Sequence, residues 1–409
     1  MRWFIFILIF GVIDIYAFQA FRTVAKNNWL YIGYWLVTLI VIGNFIYHFY
    51  GLSRGDFGSS HGYAFAFVIA LLVPKMILLL ILFGEDIFRI PQAMYRYFTE
   101  GEAAKGNYLP SRRKFISQMA LGIAAIPFAS ILYGIYKGKY NFKVLKYTLR
   151  FEDLPEAFDG YKLTQISDIH AGSFDNISKV EYAIDLINEQ QSDVILFTGD
   201  MVNNEAKELE PYLDIFSKLN AKDGMYSILG NHDYGDYIGW NSEAEKQQNL
   251  ETLKQHQNQI GFDLLLNEHR FIERNGERIA IVGVENWGKG GFKKAGDLKR
   301  ASNKLDETDF KILLSHDPSH WEAQVVPDDY HYHLTLSGHT HGMQFGIEIP
   351  GWFKWSPVKW RYKQWAGIYE KLGQYINVNR GFGYLAFPGR VGIWPEITVI
   401  ELKKGVKTT

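Results

Sequence analysis

Five short segments of this 409-residue chain place His, Asp or Asn where their side chains can do chemistry. They are Asp168-Ile169-His170, Gly199-Asp200, Gly230-Asn231-His232-Asp233, Ser315-His316-Asp317 and Gly338-His339-Thr340-His341-Gly342. In an extended segment residues i and i+2 point the same way, so Asp168 with His170, and His339 with His341, each present two donor groups to one place. The glycines at 199, 230, 338 and 342 permit sharp turns and close approach of backbone. Taken singly, a GD or NH dipeptide is usually a turn and a lone histidine is usually a satisfied one. Five such segments in succession, each directly after an apolar run, point to a single metal pocket. The chain has no cysteine, which excludes thiolate zinc sites, iron–sulfur clusters, disulfide scaffolds and cysteine nucleophiles. Any metal must therefore be held by His, carboxylate and amide groups.

The elements that must position these residues begin near residue 144. Short apolar runs at 162–167, 193–198, 224–229, 278–283, 310–315 and 332–337 read as buried strands bounded by turn residues. Between them, 176–190, 205–220 and 243–258 read as helices. Alternating strands and helices predict an α/β unit, and in such sheets function gathers in the loops leaving strand C-termini. The five polar segments occupy those loops.

Ahead of this unit the composition is different. Residues 3–21, 29–50 and 61–84 are apolar runs long enough to cross a hydrocarbon core of ~30 Å, and Phe115–Tyr136, richer in Gly, Ala and Ser, is a fourth. The first run lacks a basic leader beyond Arg2 and a small-residue cleavage site, so it reads as a span and not a removed signal peptide. The aromatic content of 16% agrees with membrane contact. The domain layout expected is three spans within 1–84, a basic cytoplasmic loop at 85–114, a fourth span or signal-anchor at 115–136 and a catalytic domain at 144–402. Loops 22–28 and 85–114 hold Arg22, Lys26, Arg89, Arg96, Lys105, Arg112, Arg113 and Lys114, eight basic residues against Arg2 and Arg54 on the other side. That imbalance predicts cytoplasmic first and third loops and an extracytoplasmic C-terminal domain. Ser111-Arg112-Arg113-Lys114-Phe115-Ile116 also resembles a bacterial twin-arginine export signal, in an internal position. Read as an export signal or as a simple basic anchor, it gives the same topology. Lys plus Arg, 43, nearly balances Asp plus Glu, 44, so no nucleic-acid partner is expected. No obligate protein partner is evident.

The order D-x-H, G-D, G-N-H-D, a lone His and G-H-x-H is similar to the calcineurin-like metallophosphoesterase family, over about residues 144–402. The stretch from Leu314 to Pro318, Gln344 beyond the last motif, Asn379 to Gly383, and Pro395 to Thr398 resemble its bacterial membrane-associated branch. That branch includes twin-arginine-exported phosphodiesterases and UDP-diacylglucosamine hydrolase relatives. The resemblance implies a four-layer α/β/β/α sandwich, here preceded by a transmembrane α-helical region. It also implies a metal-dependent phosphoric ester hydrolase with two metal ions, one held by Asp168, His170, Asp200 and His341. The other would be held by Asp200, Asn231, His316 and His339, with Asp200 shared, and His232 would serve as general acid. Mixed nitrogen and oxygen donors suit Mn, Fe, Zn or Ni rather than Ca or Mg, and two such cations can clamp both oxygens of a phosphoryl displacement. The segment departs from the protein-phosphatase pattern at Asn203, where that branch has an Asp bonded to the general acid; an amide supports a charged imidazole less well.

Residues 352–365 interleave six aromatic side chains with four cations shortly after the last motif. Trp and Tyr favour the headgroup region and Lys and Arg favour anionic lipid, so this segment reads either as a lip on the bilayer or as a packed aromatic insertion. With an anchor ending just ahead of the domain, the expected substrate is a lipid or lipid-linked phosphoester at a bacterial inner membrane, on its outer side. UDP-diacylglucosamine-type hydrolysis and a non-enzymatic membrane receptor are the rival readings. Within the spans, Asp14 and Lys75 lie at matching depths and are expected to neutralise each other.

Overall fold

A computed structural model describes residues 2–50, 58–100, 110–349 and 351–406. Arg54 and Lys105, used in the charge count above, lie outside the described residues. The chain divides into two compact units, the first ending at Tyr133 and the second beginning at Gly134.

The first unit is built from α1 (Arg2–Val24), α2 (Asn28–Phe49), α3 (Ser59–Glu100) and most of α4 (Pro110–Tyr136). All four contain stretches long and apolar enough to cross a membrane. The expected loop after residue 84 is instead helical as far as Glu100. Pro74 and Pro91 sit inside this helix without ending it. At its boundary the Glu85 and Asp86 carboxylates accept from Arg113 of α4. The basic cluster, expected to lie ahead of the fourth span, is therefore the first turn of the helix itself. Deeper in the unit, Asp14 and Lys75 form a buried ion pair. Lys75 Nζ also donates to Thr38 Oγ1 at 2.8 Å, and Tyr34 donates to Asp14 Oδ1 at 3.0 Å.

The second unit holds two six-stranded sheets. With β1 (Lys143–Phe151), β2 (Lys162–Ile166), β3 (Val194–Phe197), β4 (Met225–Ser227), β5 (Asp263–Leu264) and β14 (Glu396–Lys404), the first runs β1-β14-β2-β3-β4-β5. With β6 (Glu268–Arg274), β7 (Glu277–Gly283), β8 (Phe310–Leu314), β9 (Leu334–Ser337), β12 (Gly367–Lys371) and β13 (Gln374–Val378), the second runs β12-β13-β9-β8-β7-β6. A separate hairpin pairs β10 (Ile347–Ile349) with β11 (Phe353–Trp355).

Strand parity sorts the apolar residues into layers. Val194 and Leu196 of β3 meet Ile312 and Leu314 of β8 in the core between the sheets. Ile195 and Phe197 face the other way, onto α5 (Ile177–Asn188), α6 (Leu213–Phe216) and α7 (Glu243–Ile260). Leu313 of β8 faces α8 (Leu298–Ala301) and the turn carrying Trp321 and Val325. The result is a four-layer α/β/β/α sandwich. All six expected strands form. The expected helix at 205–220 is a 3-10 segment, Ala206–Tyr212, running into the short α6, because Pro211 lacks the N–H that a continuous α-helix needs.

Near one end of the strands the core becomes polar. Gln165 of β2 donates to Thr198 Oγ1 and to the Ser337 carbonyl, at 3.1 and 2.8 Å, and accepts from Asn377 at 2.7 Å. This amide ties β2 to β9 and β13 of the facing sheet, immediately below the loops that carry the motif residues. A buried amide with all its groups bonded fixes relative position in a way that apolar packing does not.

Candidate metal centre

Parallel β2, β3 and β4 of one sheet and β8 and β9 of the other deliver their C-terminal loops to one place. Five of the motif residues adopt left-handed backbone: Asp168 (φ 52°), His170 (50°), Asp200 (63°), His339 (70°) and His341 (49°). Such strain gathers where the surrounding structure fixes a side chain for function. Two glycines make room. A Cβ on Gly338 would sit 1.9 Å from Ser167 Oγ, and one on Gly230 would sit 2.2 Å from Asp200 Oδ1.

Two buried clusters result, Asp168 with His170 and His341, and Asp200 with His316 and His339, the donor atoms in each lying within 4.8 Å of one another. In the first, His170 Nε2 faces His341 Nε2 at 3.0 Å, and His341 Nε2 lies 3.2 Å from Asp168 Oδ1. In the second, His316 Nε2 is 3.0 Å from Asp200 Oδ2 and 3.3 Å from His339 Nδ1. Asp200 joins them: its Oδ2 is also 3.7 Å from His170 Nε2, while its Oδ1 accepts the His232 N–H at 2.8 Å. Asn231 enters the second cluster through Oδ1, 2.7 Å from His339 Nδ1, because its Nδ2 donates to Tyr237.

The surrounding contacts orient each ring. His316 Nδ1 lies 2.7 Å from the Thr198 carbonyl, which leaves Nε2 to face the centre. His339 Nε2 is taken by Tyr362 at 2.8 Å, which turns Nδ1 inward. Asp233 accepts from the N–H groups of Asp200, Met201 and Gly230 at 2.8–2.9 Å, shaping the loop that carries the shared carboxylate. Arg390 is fully buried, with Nη2 3.2 Å from His341 Nδ1, and is held by the carbonyls of Arg380, Gly381 and Gly383.

The charges are those of a site made for cations. Burial alone would raise the carboxyl pKa values of Asp168 and Asp200, but the nearby histidines, His341 on the first and His316 and His232 on the second, hold both below the usual range. Burial would likewise discharge His316, yet Asp200 outweighs it and pushes that imidazole up to about 10. Burial takes His339 down to about 4 despite Asp317. His170 is also pushed down, by burial and the adjacent His341 and His232, and its buried Nδ1 has no hydrogen-bond partner. Nitrogen and carboxylate donors converging from several loops fit divalent transition-metal ions, whose binding at His316 Nε2 would take the place of the proton that Asp200 favours there.

His232 stands apart from both clusters and is partly exposed. Its ring packs against His170 and Tyr237, with centroids 4.9 and 4.3 Å away. Its Nδ1 lies 2.8 Å from the main-chain carbonyl of Asn203. The Asn203 side chain, expected to orient this imidazole, accepts instead from Ser173 at 3.2 Å. The ring is thus held by a main-chain carbonyl, and the side chain at 203 is not its partner. At the rim, Phe292 packs edge-on to His339 at 4.9 Å and carries the exposed Arg361 on its face at 5.3 Å.

The structure brings the seven expected ligands into these two clusters and sets His232 beside them, against the ring of His170. Four contributors were not visible as such. Asp233 lay inside a motif without a role, Tyr362 lay inside the aromatic segment, Tyr237 carried no signal, and Arg390 is a buried cation that no local pattern announces.

Facing sheets with paired Asp/His clusters at the ends of their strands define a class, the metal-dependent phosphoesterases. Residues 161–343 match the family described as calcineurin-like phosphoesterase, and residues 1–139 match "Probable Calcineurin-like phosphoesterase, transmembrane domain". The uncharacterized metallophosphoesterase YkuE of Bacillus subtilis is 31% identical over 299 residues, 72% of this chain and 98% of the relative. A transmembrane protein with metallophosphoesterase domain from Danio rerio is 28% identical over 67% of this chain and 60% of its own length. The solved phosphopantetheinyl hydrolase of Mycobacterium tuberculosis overlaps 54% of this chain and 89% of its own at 13% identity and a TM-score of 0.32, too weak a likeness to bring its substrate here. The chain belongs to the calcineurin-like metallophosphoesterase family, in a membrane-associated form with four candidate spans.

Proposed function

We propose that this chain hydrolyses a phosphoester with two metal ions. Asp168, His170, Asp200 and His341 hold one, and Asp200, Asn231, His316 and His339 hold the other. The observation that carries this reading is the position of Asp200, whose Oδ2 lies 3.7 Å from His170 of one cluster and 3.0 Å from His316 of the other. When bound, such ions neutralise the phosphoryl oxygens and supply an activated water. The chain's own residues do the rest. His232, with Nδ1 on the Asn203 carbonyl, offers Nε2 as the atom that passes a proton to the leaving oxygen. Arg361 on Phe292 supplies a cation for an anionic substrate at the rim. Chelation of the purified full-length protein should abolish hydrolysis of an aryl phosphodiester, and added Mn or a similar ion should restore it. Full activity in chelator would refute the mechanism, and two bound ions without turnover would favour the receptor reading.

The finer part of the proposal is a lipid or lipid-linked substrate met outside the cytoplasm, supported by the basic imbalance of the loops. Phosphatase reporters fused after residues 105 and 409 should be silent and active respectively. The opposite pattern would reverse the topology and revive a cytosolic UDP-diacylglucosamine-type substrate.

A further inference from the structure

The β10–β11 hairpin leaves much of its apolar face exposed. Ile347 pairs with Trp355, Glu348 with Lys354 and Ile349 with Phe353, so one face carries the apolar residues and the other the charged pair. A hairpin facing water would turn its charges outward. Here Glu348 turns inward onto the buried Arg380, at 2.5 and 3.0 Å. The Lys354 ammonium folds back to the Ala366 carbonyl at 2.5 Å and over the ring of Tyr369 at 4.4 Å. Ile347 and Phe353 are left about half exposed, at 56% and 47%, and Trp352 at the turn is 80% exposed. Trp360, 75% exposed, extends the same apolar surface through its edge contact with Trp355 at 5.9 Å. Lys359, Arg361 and Lys363 are exposed beside it.

We propose that this hairpin and the following turn to Lys363 form a bilayer-inserting wedge, seated in the interface of an anionic membrane. Three observations select lipid over other occupants. Two tryptophans and a phenylalanine at an exposed edge match the composition of the headgroup boundary. The exposed Lys359 and Lys363 beside them complement anionic lipid. The chain also enters this unit from a candidate span, α4 ending at Tyr136, six residues before β1 begins, so the unit is tethered to that span by a short connection. The wedge runs directly into the site: two residues beyond Trp360, Tyr362 bonds His339 and, three further, the Trp365 carbonyl accepts from Thr340 at 2.7 Å. A phosphoester whose apolar part rests in the bilayer is thereby presented to the metal centre. This rests on the lipid-substrate reading and deepens it by naming the surface that presents the substrate.

The cysteine-free sequence makes the test direct. Single nitroxide labels are placed through Trp352→Cys and, as a control at another exposed apolar turn, Leu372→Cys, in the zinc-loaded full-length chain in phosphatidylethanolamine–phosphatidylglycerol nanodiscs. The label at 352 should be accessible to oxygen and shielded from a water-soluble nickel chelate, at a depth of roughly 5–10 Å as for other interfacial apolar faces. The label at 372 should show the reverse. Equal chelate access at both positions would overturn the proposal, as would spin–spin broadening at 352, which would make the occupant a second copy. Neither outcome depends on hydrolysis, so the wedge and the metal mechanism fail separately.

Discussion

In the membrane unit the buried Asp14 carboxylate is met by Lys75 and by the Tyr34 hydroxyl, and the Lys75 ammonium is completed by Thr38. In the metallophosphoesterase unit two buried carboxylates, an amide and four imidazoles crowd together, five of these seven residues on left-handed backbone. The first arrangement is closed, each charge answered by its opposite on regular helix. The second brings nitrogen and oxygen donors within 4.8 Å of one another without an opposed lysine or arginine among the cluster members. Both place charge where water is excluded, at a cost that each must offset. The difference teaches that opposed charges that saturate one another hold helices together, whereas like donors that converge await a cation.

The largest effect expected from this contrast is at Asp200. Replacing it with Asn should remove the group common to both clusters, take metal content from two ions per chain to one or none, and reduce hydrolysis to background; elemental analysis and turnover read the two effects. A smaller effect separates chemistry from metal binding. His232→Gln should leave metal content unchanged and slow turnover by ~10²–10⁴, the usual range for a general acid. Loss of metal in that variant would move His232 into the metal cluster and blur the distinction drawn here.

How far this contrast was legible in the sequence follows from the reach of each signal. The spans were visible because hydropathy is a local sum, and the pairing of Asp14 with Lys75 was visible because helical rise converts residue count into depth. The seven proposed ligands and His232 could be singled out because each lies in a short motif at a strand end. The helical continuation of α3 to Glu100 was not, since charges at Glu85, Asp86 and Arg89 read as the end of a span although Arg113 returns to neutralise two of them. The orientation of His232 by a carbonyl was hidden because main-chain partners leave no mark on residue type. The exposed apolar face of the hairpin was hidden as well: the sequence alternates as any strand does, and only the contacts of Glu348 with Arg380 and of Lys354 with Ala366 show which way the charged pair turns.

The closed cluster makes its own prediction, smaller than those at the metal centre. Asp14→Asn should orphan Lys75, at a cost of at least ~2.5–3.5 kcal/mol on insertion scales, and lower the yield of folded protein. Asp14→Asn combined with Lys75→Met should recover it, because no charge is then left alone. Equal yields would mean that Lys75 reaches water by another route and that the cluster is not closed.

The smallest effect concerns a buried histidine outside both clusters. Burial lowers His320 from its ordinary 6.5 to about 4, with its ring nitrogens held by Ser315 and Gln324. Because the folded-state value is depressed, the unfolded chain takes up the proton first. Stability should fall as pH drops from 6.5 towards 4, by at most roughly 3 kcal/mol from this group. His320→Gln should flatten that part of the profile of thermal midpoint against pH; an unchanged profile would assign the acid sensitivity elsewhere.

The central claim is that the Asp/His cluster is a two-ion site sharing Asp200. Anomalous scattering from crystals of the full-length protein grown with Mn tests it most directly. Two peaks are predicted, one among Asp168, His170 and His341 and one among Asn231, His316 and His339, each within bonding reach of Asp200. A single peak, or two peaks of which only one touches Asp200, would contradict it.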